Sequence, residues 1–240
     1  MKSFQESVEY RRSVRIFKDT PIEDEVVEKC IRNAAISPNS SNMQMTQFIH
    51  ITSPKILKEV ANACLNQLAA KTAKQIVVIV IRKDWARKRA KQNENFIISQ
   101  KDLAYKEHKN GYKLALLYYN KLMPFLYFPD FLGILGRIKF SIVSIIGLFK
   151  PMVRQTTASD LRVVSHKSAG IASQTFMLSM ASNGYDTCAM EGLDSVRLKK
   201  ILNLPCSAEI NMAISCGIRD EKGIYGPQFR VPFEDIYSKI

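Results

Sequence analysis

The sequence lacks paired-cysteine motifs, and this absence excludes two classes of site. Its five cysteines are scattered, with neither a C-x-x-C pair nor a histidine at metal-ligand spacing, so neither a zinc site nor a disulfide framework is predicted. We expect no bound metal, and a reducing cytoplasm is the simplest setting for such thiols. The opening residues 1–6 also lack the apolar core of a signal peptide, so secretion is not expected.

Internal repeats and low-complexity tracts are absent too, and the composition is that of an ordinary globular protein. Hydrophobic residues make up 46% and charged residues 24% of the 240 residues, which predicts one domain over 1–240 with a sizeable core. The formal net charge of +13 is compatible with nucleic acid, an anionic membrane surface or a phosphate-bearing cofactor. The chain contains no recognisable nucleic-acid docking motif, so we expect no nucleic-acid partner.

Helical patterns and separated strands are mixed along the chain. The run IVVIVI at Ile76–Ile81 is apolar at every position, which predicts a central strand covered on both faces. The other main predicted elements are a helix capped by Thr20 and Glu23, a helix from Ser53-Pro54, a helix over 159–183, and strands over 47–52 and 210–216. This mixture predicts an α/β or α+β class.

The segment from 122 to 153 is largely apolar and aromatic. It is interrupted by Pro124, Pro129, Gly133, Gly136 and Gly147. Arg137 and Lys139 also divide it, so its longest uncharged run falls well short of the roughly 20 apolar residues that span a bilayer. Three roles stay open for this segment: a lid over a pocket, a dimer contact, or an interfacial membrane element.

Four short motifs carry candidate chemistry. Arg11-Arg12-Ser13-Val14-Arg15 brings together guanidinium groups, which suit phosphate because they offer paired donors and keep their charge. Ser37–Gln44 is a loop of small hydrogen-bonding side chains, and Met190–Asp194 contains a glycine where backbone can approach a ligand closely. Gly226–Arg230 is informative only together with the others. Taken singly, the first three are better explained by a solvated basic run, a turn rich in local hydrogen bonds and a helix start.

In this order along the chain, the four motifs resemble those of the nitroreductase family of FMN-dependent oxidoreductases. The family's Arg-[Arg/His]-Ser-x-[Arg/Lys] motif is matched by Arg11–Arg15, and its Ser/Pro/Asn loop by Ser37–Gln44. Its Glu-Gly pair after a long helix is matched by Glu191-Gly192. Its terminal arginine, which is followed by proline and an acidic helix start, is matched by Arg230.

The resemblance implies an α+β, three-layer, nitroreductase-like fold with a mixed central sheet flanked by helices, and a homodimer. It covers both ends of the chain, whereas residues 85–157 match nothing in the family pattern. We therefore expect an atypical insertion or lid at about 122–157. The Pro-Trp that is frequent after the family's loop is Met45-Thr46 here.

Carried over position by position, the resemblance implies an FMN site built from both subunits. The residues implied for the phosphate are Arg11, Ser13 and Arg230, with Arg12 beside them, and Arg15 is implied for the ribityl or pyrimidine side. The loop residues implied to come from the partner subunit and border the flavin ring are Pro38, Asn39, Ser40 and Asn42. The residues implied to face the ring from the same chain are Met190, Glu191 and Gly192, with Asn66 near the pyrimidine.

The implied activity is the transfer of electrons from NADH or NADPH, through FMN, to a small molecule such as a nitroaromatic or a quinone, in a ping-pong mechanism. The flavin carries the chemistry, so no catalytic acid–base residue is predicted. His50, His108 and His166 lie in no motif and are interpreted as structural. The alternative is a non-enzymatic flavin-binding protein or a protein of the membrane surface, with peripheral contact through 122–153.

Overall fold

The computed structural model of the protein describes residues 1–128, 130 and 133–240, so Pro129 of the predicted insertion lies outside the described residues. Its sheet has four strands in the order β1-β2-β4-β3, each antiparallel to its neighbours. They are β1 (Thr46–Ile51), β2 (Gln75–Arg82), β3 (Asp186–Met190) and β4 (Ala208–Gly217). Among the described residues, the parallel pairing expected of a mixed sheet is limited to an isolated bridge between Ser13 and Thr187.

Ten α-helices accompany the sheet in the described part of the chain. They are α1 (Phe4–Tyr10), α2 (Asp24–Ala35), α3 (Pro54–Ala63), α4 (Leu68–Thr72), α5 (Ala86–Ser99), α6 (Lys109–Leu117), α7 (Met123–Leu126), α8 (Ile134–Ile146), α9 (Ala158–Ser182) and α10 (Ser195–Ile201). The helix predicted from Ser53-Pro54 is α3 and the one predicted over 159–183 is α9, so both predictions are confirmed.

The alternation of side chains along β2 explains why the fold has three layers. The even-numbered residues from Ile76 to Val80 pack with α3, α4 and α10, whereas the odd-numbered residues from Val77 to Ile81 pack with α2 and α9. All of them are fully buried. The prediction of a central strand covered on both faces is therefore confirmed, and β2 lies between β1 and β4.

The predicted start of α2 is wrong by several residues. The helix begins at Asp24 with Glu23 as its N-cap, and no side-chain capping bond is present there, so Thr20 does not cap it. Ile22 is buried in the core below α9, and its carbonyl accepts a hydrogen bond from Nε2 of Gln75 at 3.0 Å. Because this contact fixes the backbone at Ile22, the helix forms only after it.

The segment between β2 and α9 contains the residues 122–157 predicted to form an insertion, and we call this whole segment the insertion. It is helical and packs on the loop that follows α2. α6 continues through a π-helical turn (Tyr118–Leu122) into α7. Met123 forms a small core with Met43 and Met45 of that loop and with two alanines of α5. No described helix is both long and apolar enough to cross a membrane.

Candidate active site

The segment Arg11–Arg15 runs beside the edge strand β3. The amide of Val14 donates to the carbonyl of Thr187 at 3.2 Å, and the side chain of Val14 is fully buried in the core. Adjacent residues of an extended segment point to opposite sides, so burial of Val14 turns Ser13 and Arg15 away from the core. Ser13 is accordingly exposed, and Arg11 and Arg15 are partly exposed.

An ion pair between partly exposed Arg219 and buried Asp186 fixes the beginning of this segment. Arg219 donates to Oδ1 of Asp186 through Nε at 2.8 Å and through Nη2 at 2.5 Å, and the same Nη2 donates to the carbonyl of Tyr10 at 3.0 Å. The Arg219 guanidinium also lies 4.1 Å from the centre of the Tyr10 ring. The residue before Arg11 is therefore attached to both β3 and the end of β4.

The arginines of the segment leave positive charge uncompensated. Among the described residues, Arg11, Arg12 and Arg15 form no ion pair with a carboxylate. Burial raises the pKa of the neighbouring Cys188 thiol, and the charges of Arg15 and Arg11 act against that rise. Nη2 of Arg12 donates to the carbonyl of Gly226 at 2.7 Å. Such a donor set suits an anion with several oxygens.

Two backbone loops meet next to β3. Leu65 and Asn66 follow α3 in the left-handed conformation, with φ of 58° and 55°. Nε2 of Gln67 then donates to the carbonyl of Gly192 at 2.7 Å. Met190 is buried at the end of β3, whereas Glu191 and Gly192 are exposed beyond it. Arg11–Arg15, Asn66 and Met190–Gly192 thus lie on elements that are packed together.

Arg230 is not brought to this group within the chain. Its Nη1 donates to the carbonyl of Phe229 at 2.6 Å, and every residue from 225 to 240 is exposed. The nearest connection of this tail to the arginine segment is the bond between Arg12 and Gly226.

The Ser37–Gln44 loop lies on the other layer of the fold, against α9. Oγ of Ser37 donates to Oγ1 of Thr175 at 2.9 Å, and the amide of Ser40 donates to Oγ of Ser168 at 3.2 Å. Oδ1 of Asn39 accepts from the amide of Gln44 at 2.8 Å and closes the turn. Within the described ranges, no hydrogen bond joins this loop to the arginine segment or to Met190–Gly192. One chain therefore carries two separate groups of candidate residues.

The turn of this loop is held by the insertion. Ser41 and Asn42 have φ of 54° and 48°, a conformation that costs energy for residues other than glycine. The hydroxyl of Tyr118 lies 2.5 Å from Oγ of Ser41, and the hydroxyl of Tyr119 donates to the Ser41 carbonyl at 3.0 Å. Asn93 of α5 adds two bonds to Asn42. These three supporting residues were missed because they lie within 85–157, where no motif marks them.

A large apolar cavity adjoins this loop. Its volume is about 920 Å³, within the range of pockets that bind small molecules. Ser40 and Ser41 border it, and α7, α8 and the start of α9 supply its apolar walls. Buried Lys139 lies in the wall with its Nζ donating to the carbonyl of Phe125 at 2.6 Å, and burial lowers its pKa. We call this space the insertion cavity.

Comparison with known proteins places these features in a family. The model of the nitroreductase family matches residues 8–218. A Bacillus subtilis protein that bears the name NAD(P)H nitroreductase MhqN is 23% identical over 220 residues, covering 90% of this chain and 89% of its own length.

Solved structures have the same fold over almost the whole chain. The B. subtilis nitroreductase-like protein ydfN superimposes with a TM-score of 0.74 at 19% identity, covering 99% of this chain and 98% of that one. A nitroreductase-like protein from Exiguobacterium sibiricum, solved in complex with FMN, gives a TM-score of 0.67 at 20% identity, covering 100% and 98%. At identities of 19% and 20%, the similarity to these structures establishes a shared fold.

Proposed function

The chain belongs to the nitroreductase family, and we propose that it binds FMN and uses NADH or NADPH to reduce a small molecule such as a nitroaromatic or a quinone. The observation that carries this proposal is the set of uncompensated guanidinium groups on Arg11–Arg15 beside the exposed backbone of Glu191 and Gly192. A phosphate and a planar ring would be bound by these two parts respectively.

Arg11 and Ser13, with Arg12 beside them, would hold the phosphate of FMN. The donor set fits that group, because Arg11 turns away from the core and none of these arginines has a carboxylate partner among the described residues. Arg15 would lie along the ribityl chain or pyrimidine. Arg230 would join the set when the exposed tail from 225 onward packs against the assembled protein.

The ring would lie against Met190, Glu191 and Gly192, with Asn66 on its pyrimidine side. Gly192 is not required by internal packing, since a Cβ at this position would meet only Nε2 of Gln67, at 3.8 Å. A glycine with open space in front of it permits close approach of a ligand to the backbone. Gln67 fixes the carbonyl of Gly192 and so orients this part of the site.

The second group, Pro38, Asn39, Ser40 and Asn42, would reach the ring from the partner subunit of a homodimer. The separation of the two groups within one chain supports this arrangement. Each subunit would then contribute its arginine segment to one site and its loop to the other. The insertion cavity, which borders Ser40 and Ser41, would open beside the partner's flavin and receive the acceptor.

When bound, FMN would supply the redox chemistry, which is hydride transfer from the nicotinamide and electron transfer to the acceptor. The chain's own residues would bind the FMN and orient the nicotinamide and the acceptor against it. Positive charge from Arg15, on the ribityl or pyrimidine side, would stabilise the additional negative charge of the reduced ring. The apolar walls of the insertion cavity would exclude water from an acceptor stacked at the ring.

Initial-rate kinetics test this function. With NADPH or NADH varied at several fixed concentrations of a quinone, the proposal predicts parallel double-reciprocal lines, because the donor product leaves before the acceptor binds. Intersecting lines, or no oxidation of either nicotinamide by FMN-loaded protein, would contradict it.

Subunit mixing tests the shared site. In one variant Arg11→Ala damages the phosphate-binding segment of the chain, and in a second variant Ser40→Trp blocks the loop that the chain gives to its partner. At an FMN concentration that saturates the wild type but not Arg11→Ala, neither homodimer should be active. A purified heterodimer of the two variants places both defects in one site, keeps the other site undamaged, and should recover about half of the wild-type rate. A heterodimer as inactive as both parents would reject the assignment of the loop to the partner.

A further inference from the structure

Helix α8 differs from an ordinary surface helix, because it exposes a stripe of apolar side chains. Lys139, one of its two charged residues, is buried with only 5% of its surface exposed, and Gly136 is buried as well. The isoleucines at positions i, i+4, i+8 and i+11 point outward instead and form one stripe. This α8 stripe consists of Ile134, Ile138, Ile142 and Ile145, all more than half exposed.

The apolar surface extends beyond the helix in both directions. Leu148 and Phe149 follow α8 and are 76% and 86% exposed. On the other side, Leu122, Phe125 and Val153 are exposed and also line the mouth of the insertion cavity with Ile138 and Ile142. Contiguous apolar surfaces of this kind mark sites of interaction, because water solvates them poorly.

The charges around this surface are almost all positive. Residues 109–157 contain seven lysines and arginines and one acidic residue, Asp130. Asp130 is already engaged, because its carboxylate accepts from the amides of Leu135 at 3.2 Å and Gly136 at 2.7 Å. Arg137 flanks the α8 stripe, and Lys150 and Arg154 follow its C-terminal end, all exposed.

We propose that the α8 stripe and its flanks lie on an anionic lipid bilayer, with the helix in the plane of the interface. An apolar stripe inserts below the headgroups while lysines and arginines contact acidic phosphates, which is the pattern of an interfacial helix. The 13 residues of α8 extend only about 20 Å, too short to cross the hydrocarbon core. A second copy that packs its α8 stripe on the first across a two-fold axis is a poorer occupant, since this contact would bring basic rim against basic rim.

This orientation places the mouth of the insertion cavity against lipid. An acceptor dissolved in the bilayer could then enter the cavity without passing through water, a consequence that rests on the proposed function. The docking itself does not depend on FMN, so lipid binding is measured separately from turnover.

Co-sedimentation of the full chain with vesicles tests the proposal. We expect binding to vesicles of phosphatidylcholine with phosphatidylglycerol, and weak binding to phosphatidylcholine alone. Ile145→Asp should reduce the partition coefficient about tenfold, because it removes an inserted aliphatic group and adds a repelled charge. Ile145 does not line the insertion cavity. Ile145→Trp should retain binding, since tryptophan is favoured at the interface.

Val196→Asp is the matched control, because Val196 is 74% exposed on α10, which packs on α3, and the change in charge is identical. It should bind vesicles like the wild type. Wild-type protein that stays in the supernatant with anionic vesicles would overturn the proposal, as would equal losses from both aspartate variants. The proposal would also be overturned if the Ile145→Asp variant dissociated the oligomer but still bound lipid. That result would assign this face to a second copy.

Discussion

Asn42 and Asn93 are joined by two reciprocal hydrogen bonds. Nδ2 of Asn42 donates to Oδ1 of Asn93 at 2.9 Å, and Nδ2 of Asn93 donates to the carbonyl of Asn42 at 2.9 Å. The pair connects the loop proposed to border the flavin with α5, at the start of the insertion. A segment in which the sequence shows no recognisable motif therefore supports a loop that carries one.

Asn93→Ala should loosen the loop and weaken FMN binding. Both bonds are lost and the left-handed backbone at Asn42 loses its support, so we expect the free energy of unfolding to fall by about 1–3 kcal/mol. Urea unfolding and fluorescence titration with FMN measure the two effects. Gln92→Ala, at the exposed neighbouring position of α5, is the control and should change neither. An unchanged FMN affinity in Asn93→Ala would contradict the assignment of the loop to the FMN site.

Arg11→Ala should weaken FMN binding while leaving riboflavin binding nearly unaffected, because riboflavin lacks the phosphate. Loss of a charge-assisted contact predicts a decrease in FMN affinity of about 10- to 100-fold. Arg230→Ala should act in the same direction, and Arg32→Ala, on the exposed surface of α2, should have no effect. Equal losses for both flavins would contradict the assignment of Arg11 to the phosphate.

Val164→Trp should reduce turnover of a bulky acceptor by narrowing the insertion cavity. Val164 lines the cavity, whereas Val163, the preceding residue of α9, is 48% exposed and does not. We expect kcat/KM for a large quinone to fall about tenfold or more in Val164→Trp, with FMN content unchanged. Val163→Trp is the matched control. Identical kinetics for the two variants would exclude the cavity as the acceptor site.

Glu209 should make the fold sensitive to acid. Burial raises the pKa of this carboxyl, but hydrogen bonds from Lys83 and His166, with the charges of Lys83 and Arg162, outweigh it and lower the pKa to about 2. A depressed pKa contributes stability above the unfolded value of 4.5 that disappears as pH falls toward 2.

Chemical unfolding from neutral pH down to pH about 3 tests this prediction. Glu209→Gln should lower stability at neutral pH by on the order of 1–2 kcal/mol, after allowance for solvent screening of a side chain that is 23% exposed. The difference from the wild type should shrink on acidification. A constant difference across the pH range would show that the carboxylate charge is not what stabilises the fold.

The sequence predicts the central elements well, because their signals are local. The uninterrupted apolar run at Ile76–Ile81 indicates a buried strand, and the helix predicted over 159–183 ends close to the predicted position, before Gly184 with its φ of 83°. The start of α2 was misplaced because it depends on Gln75, far along the chain, which bonds to Ile22. Tertiary contacts of this kind leave no trace in a local pattern.

The candidate site, too, could be predicted from the sequence only in part. The arginine segment and the loop could be recognised from their motifs, and the structure gives each a defined place. The residues that support them could not be predicted, since Asn93, Tyr118 and Gln67 act through one or two hydrogen bonds to backbone or side chains distant in sequence. The outward orientation of the α8 stripe also could not be predicted, because the sequence of a largely apolar helix does not show which of its faces is exposed to water.

The absorbance spectrum of the purified protein tests the central claim most directly. Protein supplied with FMN and freed of excess should be yellow, release one FMN per chain on denaturation, and lose its colour under anaerobic conditions when NADH or NADPH is added. A colourless protein that neither retains FMN nor oxidises a reduced nicotinamide would contradict the account.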